Sequence, residues 1–197
     1  MSDRGQIHTL EAVIAALLIV GALLFASQAT AVTPLSASTS NQHIENQQRT
    51  VAGDLLDHAA RDGSLTAALT FWETSEEPAH FAYADLERGT YSDISELEGH
   101  PLEDGLIDAF GAGVYAYNLE AVYMTEDKDF DSIAIIVMGS PSDNAVTASR
   151  TVTLFEGDEM YDGTDLNNDN GKEFWAPNVA DGAIYNVVEV RLTVWRM

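Results

Sequence analysis

With 197 residues the chain has room for one modest domain and an appendage. Its formal charge of −23, from 32 acidic and 9 basic residues, excludes a basic patch of the kind that neutralises phosphates, so nucleic acid is not an expected partner. The absence of cysteine excludes disulfides, thiolate metal sites, a cysteine nucleophile and a lipid-modified cysteine anchor. Only Lys128 and Lys172 are lysines, and carboxylate richness with scarce lysine matches adaptation to concentrated salt, which screens self-repulsion within a few ångströms.

The chain opens Met-Ser-Asp-Arg-Gly-Gln-Ile-His-Thr-Leu-Glu-Ala, and from Ala12 to Ala26 no charged or strongly polar residue occurs. Continued through Ser27, Gln28 and Thr30 to Val32, the run reaches the length that spans a bilayer as helix. Leu, Ile, Val and Ala dominate it, so helix propensity agrees with hydropathy. Pro34 is expected to break or kink this helix. Arg4 is the only basic residue before the run and Arg49 the next, a slight bias toward a cytoplasmic N-terminus. The expected location is therefore the cell membrane, single-pass, with lipid around the helix and the acidic remainder extracellular.

Three readings of the segment compete. A secretory signal peptide would be cleaved near Ala29, after Ala-Ser-Gln-Ala; an uncleaved anchor would keep everything; a class III leader would be cut before the helix and leave it on the mature chain. Two details favour the third. Gly5, after Arg4, lets a protease approach the backbone closely. Glu11 places a carboxylate at the start of the apolar run, where it calls for a counter-ion. A cut between Gly5 and Gln6 frees an amine, and the amine of a neighbouring subunit suits that role; snorkelling to the interface is the plainer alternative.

Arg4-Gly5-Gln6, then Thr9-Leu10-Glu11 and an Ala/Leu/Ile/Val helix, resembles the leader of type IV pilins and archaellins. It is especially similar to haloarchaeal pilin-like proteins of uncharacterised function that begin Arg-Gly-Gln-x-His-Thr-Leu-Glu-Ala. The resemblance covers roughly the first thirty residues. It implies a prepilin peptidase cutting between Gly5 and Gln6, other pilin-like subunits as partners, and an assembly role for Glu11. Glu11 falls sixth after that cut, whereas many pilins carry the acid fifth.

Further along, 36–41 forms helix poorly and reads as a joint. Helix is expected again from Gln42, with Ile44, Val51, Leu55, Leu56 and Ala59 at helical spacing and Gly63 as the stop. A second helix is predicted over Ser64 to Thr74 with Leu65, Ala68, Leu69 and Trp72 on one face. Glu73 to Gly99 is acidic and turn-rich, with room for one short strand. A short helix is predicted over Leu102 to Phe110, ended by Gly111 and Gly113. Four strands follow: Val114 to Thr125, Ile133 to Met138, Ala145 to Phe155 and Tyr185 to Trp195. With only turn-length links between the first three, an antiparallel meander is expected, joined by the last strand.

Asp162, Asp165, Asn167 and Asp169 put oxygen ligands at near-alternate positions, a pattern suited to calcium. The loop departs from the EF-hand pattern, with Gly171 one place late and no closing glutamate, and a solvated acidic turn is the simpler reading. His8, His43, His58, His80 and His100 are scattered, and no serine stands in a nucleophile elbow, so no enzyme and no cofactor other than calcium is expected.

The expected architecture is α+β: a long N-terminal hydrophobic helix, then a head whose antiparallel sheet of about four strands packs on helix. The expected segments are a leader (1–5), a transmembrane or filament-core helix (6–34), a helical extension (35–62) and an acidic extracellular head (63–197). The expected function is a pilin-like subunit anchored by its N-terminal helix and assembling into a type IV pilus-like surface filament. The alternative is a singly anchored surface protein whose head binds a ligand without polymerising.

Overall fold

The computed structural model describes residues 3–75, 77–111, 113–167, 173–179 and 182–197, with the backbone alone for 3–9 and 27–41. The chain divides into two compact units, Met1–Ile44 and Glu45–Met197.

Helix α1 (Asp3–Asp62) supplies all the structure of the first unit and the opening of the second. It runs without interruption through Pro34 and through 36–41, where a break and a joint were expected. Proline fixes φ near the helical value, so it removes one backbone hydrogen bond without forcing the helix to end.

The expected membrane anchor is corrected. Among the described residues no helix is long and apolar enough to cross a membrane. The apolar segment with described side chains, residues 10–26, makes about 25 Å of helix at 1.5 Å per residue, short of the ~30 Å hydrocarbon layer. The single-pass placement, with a cytoplasmic N-terminus and an extracellular head, falls with it. So does the picture of a long hydrophobic helix packed on the sheet, because the part of α1 that enters the core is its amphipathic end.

In the second unit, Gln48, Ala52, Leu56 and Ala59 recur at helical spacing along α1 and are buried. Gly63, at φ 87, ends α1 in a conformation that favours glycine. Helix α2 (Ser64–Leu69) is shorter than its apolar spacing suggested. Beyond it Thr70-Phe71-Trp72-Glu73-Thr74 is β-branched and aromatic, and Trp72 goes into strand β1 (Trp72–Glu73), paired antiparallel with β2 (His80–Phe81). A 3-10 turn (Ile94–Leu97), capped by Asp93 accepting from the Ser95 N–H at 2.8 Å, leads to α3 (Glu103–Phe110). Gly105 lets α3 approach α1, since a Cβ there would lie 2.6 Å from a terminal methyl of Leu55.

The main sheet is built from β3 (Tyr115–Met124), β4 (Phe130–Val137), β5 (Val146–Phe155) and β6 (Ile184–Arg196). All its pairings are antiparallel, in the order β4-β3-β6-β5. The expected meander is corrected: β3 and β4 form a hairpin, but β5 lies at the far edge and β6 fills the centre between β3 and β5. The segment from 138 to 145 therefore carries the chain between the two edges. Three strand spacings make roughly 14 Å, well inside the reach of eight extended residues. Burial explains the choice, since Val188, Val190, Leu192 and Val194 of β6 are all fully buried, as a central strand requires, whereas β4 opens with exposed Phe130, Asp131 and Ser132.

One face of the sheet meets the helices. Tyr117, Leu119 and Ala121 of β3, Val146, Ala148, Val152 and Leu154 of β5 and the buried valines of β6 share a core with Leu56, Leu65, Leu69, Leu106 and Phe110. Arg150 on β5 reaches Asp57 on α1 at 2.7 Å, a half-exposed ion pair that contributes about 1 kcal/mol or less. Asn186, fully buried, uses its amide on the carbonyls of Met124 and Pro177, each at 2.9 Å. Tyr185 and the indoles of Trp72 and Trp175 likewise donate to the carbonyls of Ala176, Glu173 and Leu69, which ties 173–179 to the body of the unit.

His100 is 3 % exposed, between the rings of Tyr91 and Phe71. Its Nδ1 accepts from the Leu102 N–H at 3.2 Å, so the neutral ring carries its proton on Nε2. Burial pushes this imidazole down to about 4. Protonation would oppose Nδ1 to the Leu102 donor and place a charge among aromatic rings. The unfolded chain takes up that proton first, so this contribution to stability is complete above the unfolded value of 6.5 and declines as pH falls toward 4. The expected loss is up to roughly 3 kcal/mol. Urea titrations at a series of pH values check it: His100→Gln should flatten this window, and an unchanged slope would show that other groups govern it.

Candidate functional site

Residues 10–26 of α1 are exposed without exception. Leu10, Val13, Ile14, Leu17, Leu18, Ile19, Val20, Leu23, Leu24 and Phe25 range from 51 % exposed at Ile14 to 77 % at Phe25. Consecutive helical residues advance by about 100°, so Leu17 to Val20 alone point to all sides. A helix apolar on one stripe packs on one neighbour; a helix apolar all round is of the kind that is buried on every side. Glu11 stands exposed at the start of this segment. Gly5 and Gln6 lie in the helical backbone of α1, and their surroundings fall outside the described side chains.

The acidic loop is folded onto the second unit by its apolar residues, Met160 and Leu166, both buried. The Met160 N–H donates to the Thr164 carbonyl at 2.8 Å and Gly163 turns at φ 77, making a tight bend between them. Asp162 stabilises that bend. One carboxylate oxygen accepts from the Thr164 N–H at 3.0 Å and the other from the Thr74 hydroxyl at 2.8 Å. Asp165 is exposed and its backbone bridges Glu159, while Asn167 is exposed and its N–H donates to the Glu156 carbonyl at 3.3 Å. Asp169 lies outside the described residues. Among the described residues no group of three or more His, Asp or Glu side chains is placed to hold a metal. What Asp162 does is hold the loop to the end of β1.

The histidines do not converge: His58 faces Asp62 at 3.6 Å on the exposed side of α1, His100 sits in the core, and His80 donates through Nδ1 to the Pro78 carbonyl at 3.1 Å. The structure does bring together one group that sequence reasoning passed over. Phe71, Tyr83 and Tyr161 form a cluster, with ring centroids 4.9 Å apart for Phe71–Tyr161 and 5.6 Å for Tyr83–Tyr161. Their separation along the chain left no spacing signal. The one local hint was an acidic, turn-rich stretch carrying bulky aromatic residues.

The chain matches DUF7288, a family of unknown function, over residues 4–194, and it belongs to that family. No curated protein and no solved structure matches it.

Proposed function

We propose that this member of DUF7288 is a pilin-like subunit whose N-terminal helix, freed of a short leader, packs among the same helices of neighbouring copies in a filament. The observation that carries the reading is the all-round apolar exposure of residues 10–26. A partner offering one groove covers one side of such a helix. Several helices of equal apolarity cover every side, and further copies of the chain supply them. The leader-like Arg4-Gly5-Gln6 supports the same reading, because a prepilin peptidase cutting after Gly5 removes the charged Asp3 and Arg4 and keeps the apolar helix. The second unit contributes the solvent-facing head, with no catalytic role.

Mass spectrometry of the mature N-terminus, on protein purified from its own cells, tests the proposal. The expected terminal peptide begins at Gln6. A mature chain beginning at Met1, or one beginning after Ala29 with the apolar segment gone, counts against it.

A further inference from the structure

The aromatic cluster borders a second feature, independent of assembly. Tyr83 is 64 % exposed and its backbone sits at φ 64, in the left-handed region that bulky residues avoid. Such strain persists only where the surroundings impose it, and it recurs at ligand sites. Here it holds a large ring out in solvent, which core packing does not require. The Tyr83 and Tyr161 hydroxyls hydrogen-bond to each other, and Phe71 backs both rings.

These rings form one wall of a cavity of about 320 Å³, also lined by Glu73, His80 and the exposed Leu86. Glu73 is a carboxylate acceptor, held below the usual range by hydrogen bonds from the Ser75 side chain and backbone. His80 is 6 % exposed. Because a carbonyl only accepts, its bond to Pro78 puts the proton of the neutral ring on Nδ1 and leaves Nε2 as an acceptor. The lining thus combines apolar ring faces with acceptors for hydroxyl groups, and among the described residues it contains no Lys or Arg.

Two ligand classes match acceptors beside aromatic rings: an organic cation and a sugar. A cation cage needs rings far enough apart for the ion to enter, about 7–8 Å between centroids for contact on both sides. Tyr83 and Tyr161 are 5.6 Å apart and bonded through their hydroxyls, so nothing enters between them. A ligand can only lie against their outer faces. The C–H face of a pyranose suits such a surface, with its hydroxyls turned to the acceptors alongside.

We propose that this cavity binds a neutral saccharide, with one hexopyranose ring stacked on the more exposed Tyr83, the Tyr161 ring, tilted 68° to it, closing the side, and the sugar hydroxyls donating to Glu73 and His80.

The test titrates methyl glucoside, methyl galactoside, methyl mannoside and the disaccharides cellobiose, maltose and lactose into the full chain, followed by saturation-transfer NMR and intrinsic fluorescence. At least one is expected to bind saturably in the millimolar range, with transfer concentrated on one C–H face of the ring. Tyr161→Ala should weaken it at least tenfold. Tyr83→Gly removes both the ring and the strain, so binding should fall at least tenfold while Tm is retained. Should Tyr83→Gly fail to fold, Tyr161→Ala and Glu73→Gln decide, the latter with several-fold weaker binding. No binding at 20 mM of any sugar overturns the proposal, as does binding that these substitutions leave unchanged. Saturable binding of tetramethylammonium in place of the sugars also overturns it and assigns the cavity to a cation.

Discussion

A chain shortened to residues 45–197 is expected to fold as cooperatively as the full protein and to remain monomeric, whereas the full chain self-associates. The core begins at Gln48 and Ala52, and no described residue before Glu45 is buried. Truncation therefore removes no core side chain among the described residues, and the expected cost is that of a freshly exposed helix end, about 1 kcal/mol or less. It does remove the exposed large apolar residues of the segment 10–26. In the full chain, Leu17→Asp with Leu18→Asp should weaken association at least ~100-fold. Moving even one carboxylate into an apolar interface costs about 3 kcal/mol or more, and that energy is roughly a factor of 100 in affinity. Sedimentation velocity over a concentration series measures both. A truncated chain that associates as strongly as the full one would place the assembly surface elsewhere and sink the proposed function.

The second large effect is expected at the middle of the sheet. Leu192 is fully buried on β6, opposite Leu119 of β3 on one side and Ala148 of β5 on the other. Leu192→Ala removes its outer methyl groups from a position where strands on both sides limit collapse into the gap. The expected loss is about 3 kcal/mol, within the 2–5 kcal/mol range for such truncations, and a large fraction of a typical domain's stability. Urea unfolding followed by circular dichroism checks it. A loss below about 1 kcal/mol would mean that the sheet centre packs more loosely than its burial indicates.

The strands were legible because their signal is local. Alternation at Tyr115 to Met124 and at Val146 to Phe155 placed both within a residue or so of their ends. Their order was not legible, since pairing β6 with both β3 and β5 depends on which strand has neighbours along both edges, a property of the assembled sheet. Helix α2 was read too long because Trp72 continues an apolar spacing that the β-favouring residues around it override. At the N-terminus the apolar run was plain, but its described part stops short of a bilayer, and the unit boundary at Ile44–Glu45 leaves no mark in composition. In the acidic loop, oxygen spacing suggested calcium, but the bonds that Asp162 accepts from the Thr164 N–H and the Thr74 hydroxyl were not legible, since the Thr74 partner lies 88 residues away. The Tyr83–Tyr161 pair is still less visible, because neither residue has a periodic or spaced counterpart nearby.

That the chain's last strand occupies the middle of its sheet sets the order of events during synthesis. While residues 184–197 are still within the ribosome, β5 has no neighbour to pair with and β3 has only β4, a two-stranded hairpin of marginal stability. The sheet cannot be completed piecemeal from its N-terminal strands; β5 joins β3 and β4 only once β6 has emerged between them. Until then the helix of residues 10–26 is already made, with its apolar side chains exposed. A nascent chain thus presents the exposed apolar residues of this helix before its central strand exists to complete the sheet.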